Sequence, residues 1–169
     1  MNVKRLTVLA VLTAAALAIY VIEAQIPPLA PIPGIKLGLA NVITLWALWQ
    51  LGPRDSALIL LARILLGSLF GGSAAALIYS LAGGAACFLC SWAVKKALTE
   101  KQIWVMGVIG AIAHNAGQLI AASAVMKSAY VWAYAPVLGA SGIATGVFTG
   151  LIAGLIYKRM KDAKVLKGI

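Results

Sequence analysis

Acidic residues are scarce in this sequence: four among 169, against fourteen lysines and arginines and a single histidine. Glu23, Asp55, Glu100 and Asp162 fall in separate segments, which leaves no acidic cluster for Mg²⁺ and no carboxylate pair for general acid–base work. A diphosphate-processing active site is therefore not expected. No G-x-x-x-x-G-K-[ST] loop occurs, so the chain is not expected to hydrolyse ATP by itself. Cysteine is also sparse. Cys87 and Cys90 sit three apart in an apolar run, with no second pair to complete a metal site, and they read as small apolar residues. The expectation is a protein that is not an enzyme and holds neither metal nor cofactor.

Charge of either sign is thin, at 11% of residues, while 63% are hydrophobic and the mean hydropathy is +0.99. That composition lies far above a soluble globular domain and makes the bilayer the expected solvent. The charges gather in short clusters between apolar runs of helical length, a distribution that excludes a basic nucleic-acid binder. The net charge of +10 is explained by Lys and Arg retained on the cytoplasmic side of the membrane. Lys4 and Arg5 followed by Ala16-Leu17-Ala18 imitate a signal peptide, but the apolar run continues through Ile22 and reads as a first span.

The expected architecture is an all-α integral membrane protein, one domain over residues 1–169. Its six transmembrane helices fall at about 6–26, 37–51, 56–70, 73–94, 102–126 and 133–157, in a bacterial cytoplasmic membrane. With both termini cytoplasmic, the inside segments carry Lys4, Arg5, Arg54, Lys95, Lys96, Lys101, Lys158, Arg159, Lys161, Lys164 and Lys167, and the outside segments only Lys36 and Lys127. Aromatic residues agree: Trp46, Trp49, Trp92, Trp104 and Tyr157 fall towards inner ends, and Tyr130, Trp132 and Tyr134 gather at the outer start of the last span. The second and third spans are short. Fifteen residues reach only about 22 Å against a hydrocarbon core of about 30 Å. Either they tilt poorly or they form a re-entrant hairpin, though Gly52-Pro53-Arg54-Asp55 reads better as a cytoplasmic turn.

Residues 25–36 contain Pro27, Pro28, Pro31, Pro33 and Gly34, cannot continue the first helix, and are predicted to be extended and outside. Their apolar residues favour a lid over the helix ends as much as a plain connector. In the last span Gly142, Gly146, Gly150 and Gly154 recur every four residues and give a smooth face for another helix. Ala10, Ala14 and Ala18 draw a similar stripe on the first span. Packing inside the molecule is the simpler account of both, and an outward stripe would suit a partner subunit.

Polar side chains at membrane depth are costly unless paired or hydrated, and so are candidate binding groups. Arg63, in Ala62-Arg63-Ile64-Leu65-Leu66-Gly67, could hold a carboxylate or phosphate bidentately, or be neutralised by Glu23 or helix-end carbonyls. Lys36 places positive charge at the outer mouth, with Asn41 one to two turns deeper. His114, Asn115 and Gln118 share the fifth span, and His114 and Gln118 share a face that Gly110, Gly117 and Ala121 leave open. These six form the candidate substrate-binding set, although interhelical hydrogen bonding would account for the fifth-span residues alone. Ser141 and Thr145 are expected to bond their own backbone.

Pro33-Gly34-Ile35-Lys36-Leu37-Gly38-Leu39-Ala40-Asn41, Ala62-Arg63-Ile64-Leu65-Leu66-Gly67 and His114-Asn115-Ala116-Gly117-Gln118, in this order, resemble the bacterial Gx transporter family across nearly the whole chain. That family looks like the substrate-binding S components of energy-coupling factor transporters. The resemblance implies a six-helix bundle and an outward-facing site under the loop after the first helix, while the small, anionic solute is read from Lys36, Arg63 and their polar companions. It also implies recruitment of separate ATPases and a transmembrane coupling subunit through an A-x-x-x-A face that Ala10, Ala14 and Ala18 match. The family is often labelled heptaprenyl diphosphate synthase component I. Prenyl diphosphate synthases resemble one another in D-D-x-x-D motifs, which this chain lacks. The alternative reading is accordingly a non-catalytic membrane partner of such a synthase in isoprenoid or quinone metabolism.

Overall fold

The computed structural model describes residues 3–27, 36–71 and 74–162. Six α-helices carry the fold: α1 Val3–Glu23, α2 Asn41–Gln50, α3 Pro53–Gly71, α4 Ala74–Lys95, α5 Ile103–Met126 and α6 Ala135–Asp162, with 3₁₀ turns at Glu100–Gln102 and Ala129–Tyr134. No strand occurs among the described residues. Counting the 3₁₀ turns with the helices they lead into, four helical stretches among the described residues are long and apolar enough to cross a membrane: Val3–Glu23, Ala74–Lys95, Glu100–Met126 and Ala129–Asp162.

Helix starts follow local chemistry. Gly52, at φ +96°, turns the chain after α2, and Pro53 opens α3, where a missing N–H costs nothing. Thr99 and Gln102 form a capping box ahead of α5, and Lys127 closes α5 in the left-handed region. Bonds at one end of the bundle tie six helix termini together. Arg5 grips Asp55 with Nη2–Oδ1 at 2.6 Å and Nε–Oδ2 at 3.1 Å, joining the starts of α1 and α3. Lys95 Nζ donates to the carbonyls of Leu48 and Trp49, joining the ends of α4 and α2. Trp49 meets Tyr157 edge-on, and Lys161 reaches Glu100 at 2.7 Å, adding the end of α6 and the start of α5. The helices therefore alternate in direction. Arg54, Lys96, Lys101, Lys158 and Arg159 lie at this basic end, and away from it lie Lys127, after α5, and Lys36, in the non-helical approach to α2.

Helix α2 departs most from expectation. The second span, predicted over 37–51, is helical only from Asn41 to Gln50, about 15 Å of rise, half a membrane core. Residues Asn41 to Leu48 are buried without interruption, and α2 packs against all five other helices. It is a helix enclosed on every side, which explains its apolar composition without a lipid-facing stripe. Trp46, expected as an interfacial anchor, is 2% exposed in this core: a correction that follows from the enclosure of α2. Trp92, Trp104, Tyr130 and Trp132 are exposed. The third span, predicted over 56–70, is the nineteen-residue α3, about 28 Å long, and Arg54, Asp55 and Arg63 are its charges.

The glycine stripe is internal at Gly142, Gly146 and Gly150, and open at Gly154. A side chain at Gly146 would meet Val108 Cα at 2.5 Å, and one at Gly150 would meet Trp104 Cα at 2.6 Å, so α5 and α6 approach backbone to backbone. The alanine stripe is the reverse: Ala10, Ala14 and Ala18 are all exposed on one face of α1. Most of the predicted lid, residues 28–35, lies outside the described residues.

Candidate functional site

Two apolar clusters bracket a polar layer. One surrounds α2 and includes Leu45, Trp46, Ile59, Met106 and Ala153. The other, farther along the bundle, joins Tyr79, Leu119, Val131 and Leu138. Between them lie Asn41 at the start of α2, Arg63 ten residues into α3 and His114 eleven residues into α5. Both intervals correspond to about 15 Å along the helices from the basic end.

These three side chains form one chain of hydrogen bonds. Arg63, 3% exposed, donates from Nη2 to Asn41 Oδ1 at 3.0 Å. Because a guanidinium can only donate, the Asn41 amide is fixed with its oxygen towards Arg63. Its Nδ2 then faces His114 Nδ1 at 3.2 Å and must donate to it. His114 is thereby assigned its neutral Nε2–H form. Both Nε2 of His114 and Nε of Arg63 are buried with no protein partner.

The approach to α2 is shaped by Gly38, at φ +80°. Its N–H donates to Glu23 Oε1 at 2.6 Å, so a buried carboxylate at the end of α1 is held by backbone. A side chain at Gly38 would come within 2.8 Å of Asn41 Nδ2 and 3.1 Å of the His114 ring. Non-helical backbone is tolerable at this depth only where protein encloses it, as here. The expectation that Asn41 lies one to two helical turns beyond Lys36 is corrected accordingly: residues 36–40 are not helical. Glu23 forms no ion pair with Arg63 among the described residues. Tyr20, buried beside Gly67, carries Lys36 Nζ 3.5 Å from its ring centroid and Arg63 Cζ 5.8 Å from it, so two cations lie against one aromatic ring.

Gln118 joins the same wall. A Cβ on Gly83 of α4 would fall 2.8 Å from Gln118 Cγ and 2.9 Å from His114 Nδ1, so both lie against a bare stretch of backbone. Gln118 Oε1 has no protein partner. Asn115 points elsewhere: its Nδ2 donates to the Leu138 carbonyl at 2.6 Å, across the α5–α6 seam beside Gly142. The structure therefore groups Arg63, Asn41, His114 and Gln118, sets Lys36 above them through Tyr20, and leaves Asn115 on the opposite seam. Ser141 and Thr145 bond the carbonyls of Leu138 and Ser141, as expected.

Tyr20 and Gly83 were missed by sequence reasoning. Tyr20 had a signal, a lone aromatic three residues before Glu23 in an otherwise aliphatic helix. Gly83 had none, since nothing local distinguishes it from Gly84.

Chemically, the buried layer offers a guanidinium N–H and an imidazole N–H as donors and an amide oxygen as acceptor. Each such group left without a partner costs about 1–3 kcal/mol. No carboxylate or cysteine accompanies His114 to complete a metal site among the described residues. The arrangement suits recognition of a small polar or anionic group. No curated protein and no solved structure matches the chain. A family model covers residues 12–156, most of the chain and all of this polar layer, and the protein belongs to the family described as heptaprenyl diphosphate synthase component I.

Proposed function

We propose that the chain is a non-catalytic membrane component that partners a heptaprenyl diphosphate synthase. Its family membership carries this reading. The disposition of its carboxylates supports it: Asp55 is clamped by Arg5, Glu100 by Lys161, and Glu23 by the Gly38 amide, at three separate places. Asp162 lines the same groove as Glu100, which Lys161 already engages, so no free carboxylate pair is offered for Mg²⁺-diphosphate chemistry among the described residues. In this reading the chain is one domain of six helices in a bacterial cytoplasmic membrane. Its basic end and both termini are cytoplasmic, and α2 is buried within the bundle. Lys and Arg at that end offer the synthase a charged platform, and the layer of Arg63, Asn41, His114 and Gln118, with Lys36, binds a small anionic ligand. A flotation assay tests the partnership. Proteoliposomes containing the chain should carry the synthase to the top of a density gradient, with no prenyl transfer by the chain alone; a synthase that stays at the bottom counts against it.

A second reading is favoured by two observations. The exposed face of Ala10, Ala14 and Ala18 can take a transmembrane helix at close range, and the buried donors of Arg63 and His114 suit a captured solute. The chain is then the substrate-binding subunit of an uptake transporter, energised by separate ATPases through a coupling subunit. A solute retained through purification and lost in Arg63→Met supports this reading when ATPases co-purify.

A further inference from the structure

A groove lies far from the polar layer, at the basic end. It has a volume of about 390 Å³ and lies between the start of α5 and the end of α6. Its inner half is apolar, made by Ile103, Leu151, Leu155 and the bare backbone of Gly154. At Gly154 a side chain would meet only Ile103 Cβ, at 3.8 Å, so the glycine there opens a notch that packing does not require. Gly150, one turn away, is closed against Trp104. The outer half is polar: Lys101, Lys158, Lys161, Glu100 and Asp162, with Trp104 and Tyr157 at the rim.

Lys161 is engaged by Glu100 at 2.7 Å, whereas Lys101 and Lys158 reach no carboxylate within ion-pair distance among the described residues. Three lysines against two carboxylates leave one net positive charge. Both helices belong to stretches long and apolar enough to cross a membrane, and in a bilayer the notch would face hydrocarbon with the lysines where lipid headgroups begin. Trp104, 43% exposed, is the type of side chain that sits at that boundary.

From this geometry we infer a binding site for one anionic phospholipid, with its phosphodiester between Lys101 and Lys158 and an acyl chain along Gly154. The single excess charge matches a phosphodiester monoanion better than a diphosphate, which would face Glu100 and Asp162 with several charges. This site is separate from the ligand layer around Arg63 and independent of which partner the protein has.

The test uses the full chain in nanodiscs of phosphatidylcholine containing a minority of phosphatidylglycerol, released into detergent and weighed by native mass spectrometry. One phosphatidylglycerol should be retained in preference to phosphatidylcholine. The Lys101→Gln/Lys158→Gln pair should lower that preference about thirtyfold. Gly154→Leu, which the open space accommodates, should lower retention with the lysines intact. Equal retention of the two lipids by the unaltered protein overturns the proposal without recourse to variants. Unchanged retention in both variants, each confirmed helical by circular dichroism, also overturns it. Displacement of phosphatidylglycerol by stoichiometric farnesyl diphosphate would reassign the groove to a prenyl diphosphate and contradict the phosphodiester assignment.

Discussion

Gly38 donates its backbone N–H to the Glu23 carboxylate at 2.6 Å, and that bond ties the end of α1 to the non-helical approach to α2. The second helix therefore starts deep in the protein and places Asn41 against both Arg63 and His114.

Gly38→Ala should destabilise the protein by about 1–3 kcal/mol, because it combines a positive φ with a clash against Asn41 and His114. Gly52→Ala shares the positive φ but meets nothing within 4 Å, and should cost about 1–2 kcal/mol from backbone strain alone. Denaturation in detergent compares the two. A smaller loss for Gly38→Ala than for Gly52→Ala would count against the packing assigned to Gly38.

Asn41→Asp keeps the acceptor for Arg63 and removes the donor to His114. It should move the imidazole proton to Nδ1, which ¹⁵N chemical shifts of the single histidine report. Asn41→Leu removes both bonds and should cost about 1–3 kcal/mol for each buried group left alone. An unchanged tautomer in Asn41→Asp would contradict the amide orientation fixed by Arg63.

Arg63→Met retains length and packing while removing the charge. Any anionic small molecule that co-purifies with the protein should be lost, and the Asn41 oxygen left without its donor should lower stability by about 1–3 kcal/mol. Quantifying the retained molecule by mass spectrometry checks this. Undiminished retention would remove Arg63 from the site.

Gly146→Val drives a side chain into the Gly107–Val108 backbone and should separate α5 from α6, lowering the unfolding midpoint by many degrees. Gly139→Ala, with nothing within 4 Å, should leave it unchanged. Equal midpoints for the two variants would argue against the close α5–α6 seam.

Cysteines replacing Arg54 and Lys127, both exposed at helix ends, test the orientation. A membrane-impermeant maleimide should label the first only from the cytoplasmic side and the second only from outside. Labelling of both from one side would refute alternating spans with cytoplasmic termini.

Much of the fold was legible because lipid imposes long apolar runs and charge collects at helix ends, so α1, α4, α5 and α6 could be read to within a few residues. Helix α2 could not. Hydropathy does not distinguish an apolar segment facing lipid from one enclosed by protein, and Trp46 was misplaced for that reason. Arg63, His114, Asn41 and Gln118 stood out because polar groups are expensive at that depth. Asn115 shared their signal but serves the α5–α6 seam through Leu138, a partner 23 residues away that spacing alone does not reveal. Tyr20 joined the site because the fold brings α1 against α3, where Gly67 leaves room for its ring.

The partnership is tested most directly by purifying the tagged chain from its native membranes under mild conditions and identifying what accompanies it. The account predicts a prenyl diphosphate synthase in stoichiometric amount. Recovery of paired ATPases and a transmembrane coupling subunit, with no synthase, would contradict it.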